Sequence, residues 1–420
     1  MISTSYKITN IMSSARTLGL CAAALLACAA APAGAQVAVR ARTLHTMGPA
    51  GTIADGVVVV TDGKVAAVGP AAQVAIPAGH RVLEAAVATP GLIDAHSTVG
   101  LSGLLNTRHD SDQLERSAPI QPELRAVDAY NPADRLVEWV RSFGVTTVHT
   151  GHAPGETVSG QTIIVKTVGR TVEEALVSPL GAIACTLGPS AQKDGSRSPG
   201  TRAKVVAILR AELVRAREYA EKLDAAKNDE KKPDRNLRLE ALAAALRGEV
   251  PLMITAQRAQ DIEAALRLKE EFGFRMILDG GAEATLLADR LKAAGVSVIV
   301  HPTMMRAYGE TENASFTTAA KLREAGLLVA LQSGYEGYVP KTRVVLFEAA
   351  IAAARGLGFE GALAAITIDA ARLLGVDARV GSLEVGKDGD VALYDGDPFE
   401  YTTHCVGTVI AGEVVSDISR

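Results

Sequence analysis

From residue 36 to about 88, apolar residues come in short runs broken by turn residues. VVVV (57–60) and KVAAV (64–68) flank Asp62-Gly63, a pair suited to a type I′ turn because both central positions need positive φ. The far end of the chain has the same texture: DVALYDGDPF, then GTVIAGEVV with Ala411-Gly412 at its turn. Neither piece is large enough to bury both faces of a sheet by itself. The pattern therefore predicts that the two ends pack together as one small composite β-sandwich domain, 36–88 plus 377–420, with the rest of the chain inserted between them.

The middle, 89–376, alternates apolar β-type runs with amphipathic helical runs, the signature of parallel βα units. Eight runs stand out: GLIDAH (91–96), VTTVHT (145–150), TIIVKT (162–167), AIACTL (182–187), PLMITA (251–256), RMILDG (275–280), SVIVHP (297–302) and LLVALQS (327–333). Eight is the number that closes a parallel barrel with a filled interior, so the expected fold is α/β, a (β/α)8 TIM-type barrel. Asn131 with Pro132 is expected to open the helix PADRLVEWVRSF, and Gly144 to end it. Residues 201–247 read as two helices around the charged loop KNDEKKPDR.

Composition narrows the setting. The chain has 420 residues, 48% hydrophobic and 21% charged, with a formal net charge of −4. It can bury a large core, and it lacks the basic excess that grips nucleic acid. After Lys7 and Arg16 comes LGLCAAALLACAAAPAGAQ, too short to span a bilayer as a mature helix but right for a secretory h-region. Ala33-Gly34-Ala35 supplies small residues for cleavage before Gln36. Residues 1–35 thus read as a signal peptide and the mature chain as periplasmic or secreted; the alternative is a lipoprotein acylated at Cys28. Cys21 and Cys28 leave with that segment. Cys185 and Cys405 remain in different expected domains, and no disulfide between them is expected.

In a closed α/β barrel, reactive groups collect at the C-terminal ends of the strands. Those ends offer His96, His149 with His152, Lys166, Cys185, Thr255 and Gln257, Asp279, His301, then Gln332 and Ser333. Four of the eight histidines fall there. Such histidines serve as metal ligands, as proton-transfer groups or as plain hydrogen-bonding groups. Cys185 reads as a small core residue. No Gly-x-Ser-x-Gly elbow precedes a helix, no Walker-type Gly-Lys-Ser/Thr appears, and no Cys-x-x-Cys pair exists.

TPGLIDAHSTVGLSG near the start of the barrel and GSLEVGKDGDVALYDGDPF near the end of the chain, together with the two-ended β-domain and eight βα units, resemble the amidohydrolase superfamily, specifically its imidazolonepropionase-like branch of exported proteins. The resemblance covers almost the whole mature chain. It implies one or two divalent ions, zinc for example, that polarise a carbonyl and lower the pKa of a bound water, which then attacks an amide-type, non-peptide C–N bond.

Carried over residue by residue, the implied ligand set is incomplete. The family's His-x-His on the first strand is His96-Ser97-Thr98 here. AIACTLG on strand four has neither lysine nor glutamate. Strand five reads Thr255-Ala256-Gln257, strand six Asp279-Gly280-Gly281, and strand eight Ser333-Gly334, where histidine, histidine and aspartate are expected. Two outcomes follow. In one, a rebuilt site uses His96 with His149 or His152 as metal ligands, His301 and Asp279 as catalytic groups, and Lys166, Thr255, Gln257 and Ser333 on a small-molecule substrate. In the other, the protein is a metal-free binding subunit, a homo-oligomer or the partner of a catalytically complete amidohydrolase. The long first loop, HDSDQLERSAPIQPELRAVDAYNP, is long enough to cover the mouth as a lid and carries His109, Asp110 and Asp112.

Overall fold

The computed structural model describes residues 36–420 apart from 106, 196, 227–231 and 336–343. The expected signal peptide, with Cys21 and Cys28, lies outside the described residues, as does part of the charged loop. Four strands come first: β1 (Val37–His45), β2 (Thr52–Thr61), β3 (Lys64–Pro70) and β4 (Arg81–Pro90). Next are β5 (Leu92–Ser97), β6 (Val145–Thr150), β7 (Val158–Gln161), β8 (Ile163–Lys166), β9 (Leu176–Ser178) and β10 (Ile183–Thr186). Then follow β11 (Leu252–Ala256), β12 (Met276–Gly280), β13 (Ser297–Val300) and β14 (Val329–Ala330), and finally β15 (Val391–Tyr394), β16 (Cys405–Ile410) and β17 (Glu413–Ser416).

Strands from both chain ends share one seven-stranded sheet, ordered β17-β16-β15-β4-β1-β2-β3. Its turns are those the sequence expects. Asp62 and Gly63 have φ of 50° and 78°, and Ala411 and Gly412 have 47° and 78°, so each pair supplies the two left-handed residues of a tight hairpin. One face packs Val39, Leu44, Val58 and Val60 against Leu383, Val391, Leu393 and Val409. Neither end could close this core alone.

The remaining strands form a six-stranded sheet, β14-β13-β12-β11-β10-β7, and a four-stranded one, β5-β6-β8-β9. Hydrogen bonds continue between them. The Ala95 amide donates to the Leu331 carbonyl at 3.2 Å, and the Thr162 amide, between β7 and β8, donates to the Ala182 carbonyl at 2.9 Å. Inside lies an apolar layer of Ile93, Met253, Ile277, Ile299 and Ala330.

Of the eight expected strands, seven run the same way, and the third does not. β8 pairs antiparallel with β6, and β7 antiparallel with β10. The cause is the connection: only residues 151–157 separate β6 from β7, whereas a parallel return needs a dozen residues or more. The long first loop is pinned to the sheet in its middle. Its Ile120 bridges Val158 and its Arg125 bridges Gln161, so it lies along β7 with Ile120 and Gln121 buried.

Other elements follow their punctuation. The helix Arg135–Arg141 is capped by Asp134, whose carboxylate accepts the Leu136 amide at 2.6 Å; Asn131 instead accepts from Ala133 in the preceding turn. Helices Arg202–Ala225 and Leu237–Leu246 flank the charged loop and start at Thr201 and Asn236, each of which accepts a backbone amide. Cys185 and Cys405 are both buried free thiols; burial pushes them up to about 12 and about 11.

The reversed strand decides the place of Lys166. Its partner in register is Thr147, near the start of β6, so Lys166 lies at the opposite end of the strands from the expected mouth. There its ammonium meets Asp390 and, at 3.1 Å, Asp388, and Asp388 also binds Lys64 at 2.6 Å and Arg379 at 3.2 Å. The two aspartates of GKDGD thus tie the two-ended sheet to the inserted strands. Removing the buried cation would leave the buried Asp390 carboxylate without its cation, while Asp388 keeps Lys64 and Arg379. Lys166→Met is expected to cost about 3–5 kcal/mol in urea unfolding; a loss under about 1 kcal/mol, as for a surface pair, would contradict this account.

Candidate active site

Strand periodicity builds the site. Successive side chains of a strand alternate faces, so the residue two beyond an inward apolar residue also points inward. Above Met253, Ile277 and Ala330 the same spacing brings Thr255, Asp279 and Gln332, one level closer to the C-terminal ends. His96, at the end of β5, joins them.

Asp279 is the hub. Its fully buried carboxylate accepts from His96 Nδ1 at 3.0 Å, from Gln332 Nε2 at 2.8 Å and from Thr255 Oγ1 at 2.6 Å. Burial alone would push Asp279 up, but His96 and the three hydrogen bonds outweigh it and hold the carboxyl below its usual value. An ionised carboxylate only accepts, so His96 Nδ1 carries the hydrogen. His96 Nε2 is buried with no hydrogen-bond partner among the described residues, and the ring lies 6.1 Å from that of His149 and 5.7 Å from that of Tyr335.

A second buried carboxylate accepts the His96 backbone amide, at 3.4 Å. Asp94, also on β5, accepts the Ser333 amide at 3.0 Å and the Ser333 hydroxyl at 2.5 Å. Burial pushes it up to about 6 despite those bonds. Ser333 is therefore engaged with Asp94. Gln257 accepts the Ala282 amide at 3.2 Å and lies against Gly280, where an added Cβ would come 2.4 Å from its amide nitrogen. It braces the turn after β12.

The ring nitrogens of His149 and His301 are engaged away from His96. His149 Nδ1 faces the Ala95 carbonyl and its Nε2 the Thr162 hydroxyl, both at 2.7 Å. His301 is held by the Pro302 carbonyl at 2.9 Å and the Thr318 hydroxyl at 3.2 Å. His152 is buried against Gly160, and among the described residues no hydrogen bond or ring contact links it to His96. The structure thus gathers His96, Thr255 and Asp279 of the expected site residues, with Ser333 adjoining. His149 stands beside His96 but turns both ring nitrogens to other partners, and the structure does not gather His152, His301, Gln257 or Lys166 there.

These positions do not fit a resident metal ion. A cation needs three or four lone pairs converging on one point, yet at this hub an anion receives three hydrogens. Both ring nitrogens of His149 and of His301 are used by neighbours. Among the described residues, no group of three or more His, Cys, Asp or Glu side chains is placed to hold a metal. The hub was partly visible in the sequence, but Asp94 and Gln332 were not assigned a role there. For Asp94 the signal was a carboxylate two residues before His96 on an otherwise apolar strand.

Comparison with known proteins places this architecture. A model of the amidohydrolase family matches residues 200–416. The amidohydrolase tasK of Hapsidospora irregularis is 26% identical over 339 residues, 74% of this chain but 34% of that protein; the chain spans about a third of that relative's length. An imidazolonepropionase of Rhizorhabdus wittichii is 27% identical over 371 residues, 82% of this chain and 89% of the relative. The crystal structure of an amidohydrolase from Thermotoga maritima superposes with a TM-score of 0.85 at 27% identity, covering 91% of this chain and all of that one. A zinc-bound adenosine deaminase from Xanthomonas campestris, at a TM-score of 0.52 and 16% identity over 91% of this chain and 93% of that one, shares the fold. The fold is of the TIM-barrel type.

The buried histidines set an acid limit. Burial holds His149 and His152 at about 4 and also lowers His301, against about 6.5 in an unfolded chain. Between those values the unfolded chain binds more protons, so stability falls as pH drops from about 6.5 towards 4. Asp94, raised to about 6, works in the opposite sense between 6 and its unfolded value, as do the raised Asp261 and Glu310, but these three stand against four lowered histidines, His45 included. The melting temperature is expected to fall by several degrees between pH 6.5 and 4.5, and to fall less in His152→Gln. A melting temperature constant across that range would contradict the assignment.

Proposed function

Because the chain belongs to the amidohydrolase family, in its imidazolonepropionase-like branch, we propose that it is an exported hydrolase of an amide-type, non-peptide C–N bond with a site centred on His96 and Asp279. The observation that carries this reading is the unpartnered, buried Nε2 of His96, oriented by a carboxylate on its other nitrogen. An unsatisfied buried imidazole nitrogen costs stability, which a role towards a bound molecule would explain. Support also comes from the two buried carboxylates with opposite displacements, Asp94 upwards and Asp279 downwards, a separation common at functional sites. The substrate is a small molecule, and its identity resides in the loops.

The same reading takes the inserted strands as a closed barrel, 89–376, and the two-ended sheet as the composite β-sandwich, 36–88 plus 377–420. Residues 1–35 are the signal peptide, giving a periplasmic or secreted protein with Gln36 first, or with lipid on Cys28. A second reading is a binding subunit, homo-oligomeric or paired with an active amidohydrolase. What favours it is the complete engagement of His149 and His301 by neighbouring groups, which leaves neither ring for catalysis.

A panel of N-acyl and cyclic amides separates the two. The hydrolase reading expects turnover by the wild type and a loss of about 10²–10⁴-fold in His96→Ala. Amides that raise the melting temperature without being hydrolysed would establish the binding subunit instead. Mass analysis of protein recovered from expressing cells is expected to find Gln36 at the N-terminus; a chain retaining 1–35 would overturn export.

A further inference from the structure

The hub around Asp279 has a sign. In a metal centre, a cation draws lone pairs inward from several strands. Here an anion draws hydrogens inward from three: the imidazole N–H of His96 on β5, the hydroxyl of Thr255 on β11 and the amide of Gln332 near β14. Thr255 and Asp279 stand in the very strands where the family resemblance implies histidine ligands. A divalent ion placed on Asp279 would have to displace these three donors, and the His96 nitrogen that faces Asp279 carries a hydrogen and offers the ion no lone pair. The second amide hydrogen of Gln332 is also taken, by the Val300 carbonyl at 3.2 Å, so that side chain cannot turn its oxygen inward without losing two bonds.

We propose that Asp279 replaces the metal as the group that assembles this site, and that the protein works with no resident metal ion, His96 Nε2 being its proton-transfer atom. Asp279 is the positioning residue: by accepting the Nδ1 hydrogen it fixes the tautomer whose neutral form has its lone pair on Nε2. Resting on the hydrolase reading, the chemical step is simple. Nε2 takes a proton from water as the water oxygen bonds to the carbonyl carbon. The C–N bond then breaks, the same proton passes to the departing nitrogen, and one water is consumed to give an acid and an amine. The carboxylate stabilises the transient imidazolium without itself taking the proton.

The test separates the metal from the activity. Protein purified without chelator is analysed for metals, titrated calorimetrically with zinc alone, and assayed on the amide panel with and without chelator. Expected are substoichiometric metal, no zinc binding in the micromolar range and hydrolysis unchanged by chelator. In Asp279→Asn, kcat is expected to fall about a hundredfold or more with KM little changed and the melting curve still cooperative. A fall in KM affinity alone, with kcat intact, would remove Asp279 from the positioning role. Stoichiometric metal that is lost in His96→Ala, or chelator-sensitive hydrolysis restored by zinc, would overturn the metal-free site while leaving the hydrolase reading standing. Absence of hydrolysis on every amide would overturn the base role of His96 together with the hydrolase reading, and the zinc titration would still decide the metal question.

Discussion

A carboxylate buried in a protein interior is costly unless its charge is met by donors. Asp279 meets that requirement with three hydrogen bonds from three strands, and the arrangement of the site follows from it. The carboxylate sets the tautomer of His96, anchors Gln332 between β12 and β13, and turns the Thr255 hydroxyl away from any ligand role. It also excludes the common solution of this fold, in which a cation performs the same gathering. A network of this kind is rigid because its donors converge on one carboxylate. His96 Nε2 and Gln332 Oε1 are left over, and of the two only the imidazole nitrogen can take up a proton, which is why it carries the functional argument.

A second constraint acts at the other end of the strands. The seven-residue connection 151–157 cannot return the chain for a parallel strand, so β7 and β8 run backwards. Lys166, which a parallel strand would have presented at the mouth, is delivered instead to Asp388 and Asp390. The reversal therefore converts a candidate substrate-binding cation into a clamp between the inserted strands and the sheet made from both chain ends. Burial keeps that clamp from being screened by solvent, unlike the many exposed ion pairs of the surface helices.

Much of this fold was legible in the chain because its signals are local. The Asp62-Gly63 and Ala411-Gly412 turns, the seven concurrent strands and the helices beside the charged loop all follow from periodicity and punctuation. The reversed strand was equally local in cause, since counting residues between VTTVHT and TIIVKT would have excluded a parallel return; apolar pattern alone carries no direction. The site was less legible. His96, Thr255, Asp279 and Ser333 could be placed at strand ends, but which histidines share a centre depends on side-chain partners many residues away. His149 is turned to Ala95 and Thr162, and His301 to Pro302 and Thr318, and no spacing announces such pairings. Nor does a list of missing metal ligands reveal that one replacement, Asp279, is opposite in charge to the ion it displaces.

The claim that an anion holds the centre is most directly tested by anomalous diffraction at the zinc edge, from crystals of the mature protein grown with zinc. No anomalous peak within the strand-end site, with Asp279 still bonded to His96, Thr255 and Gln332, is the predicted result. A peak about 2.1 Å from His96 Nε2, with Asp279 turned to ligate it, would contradict the account.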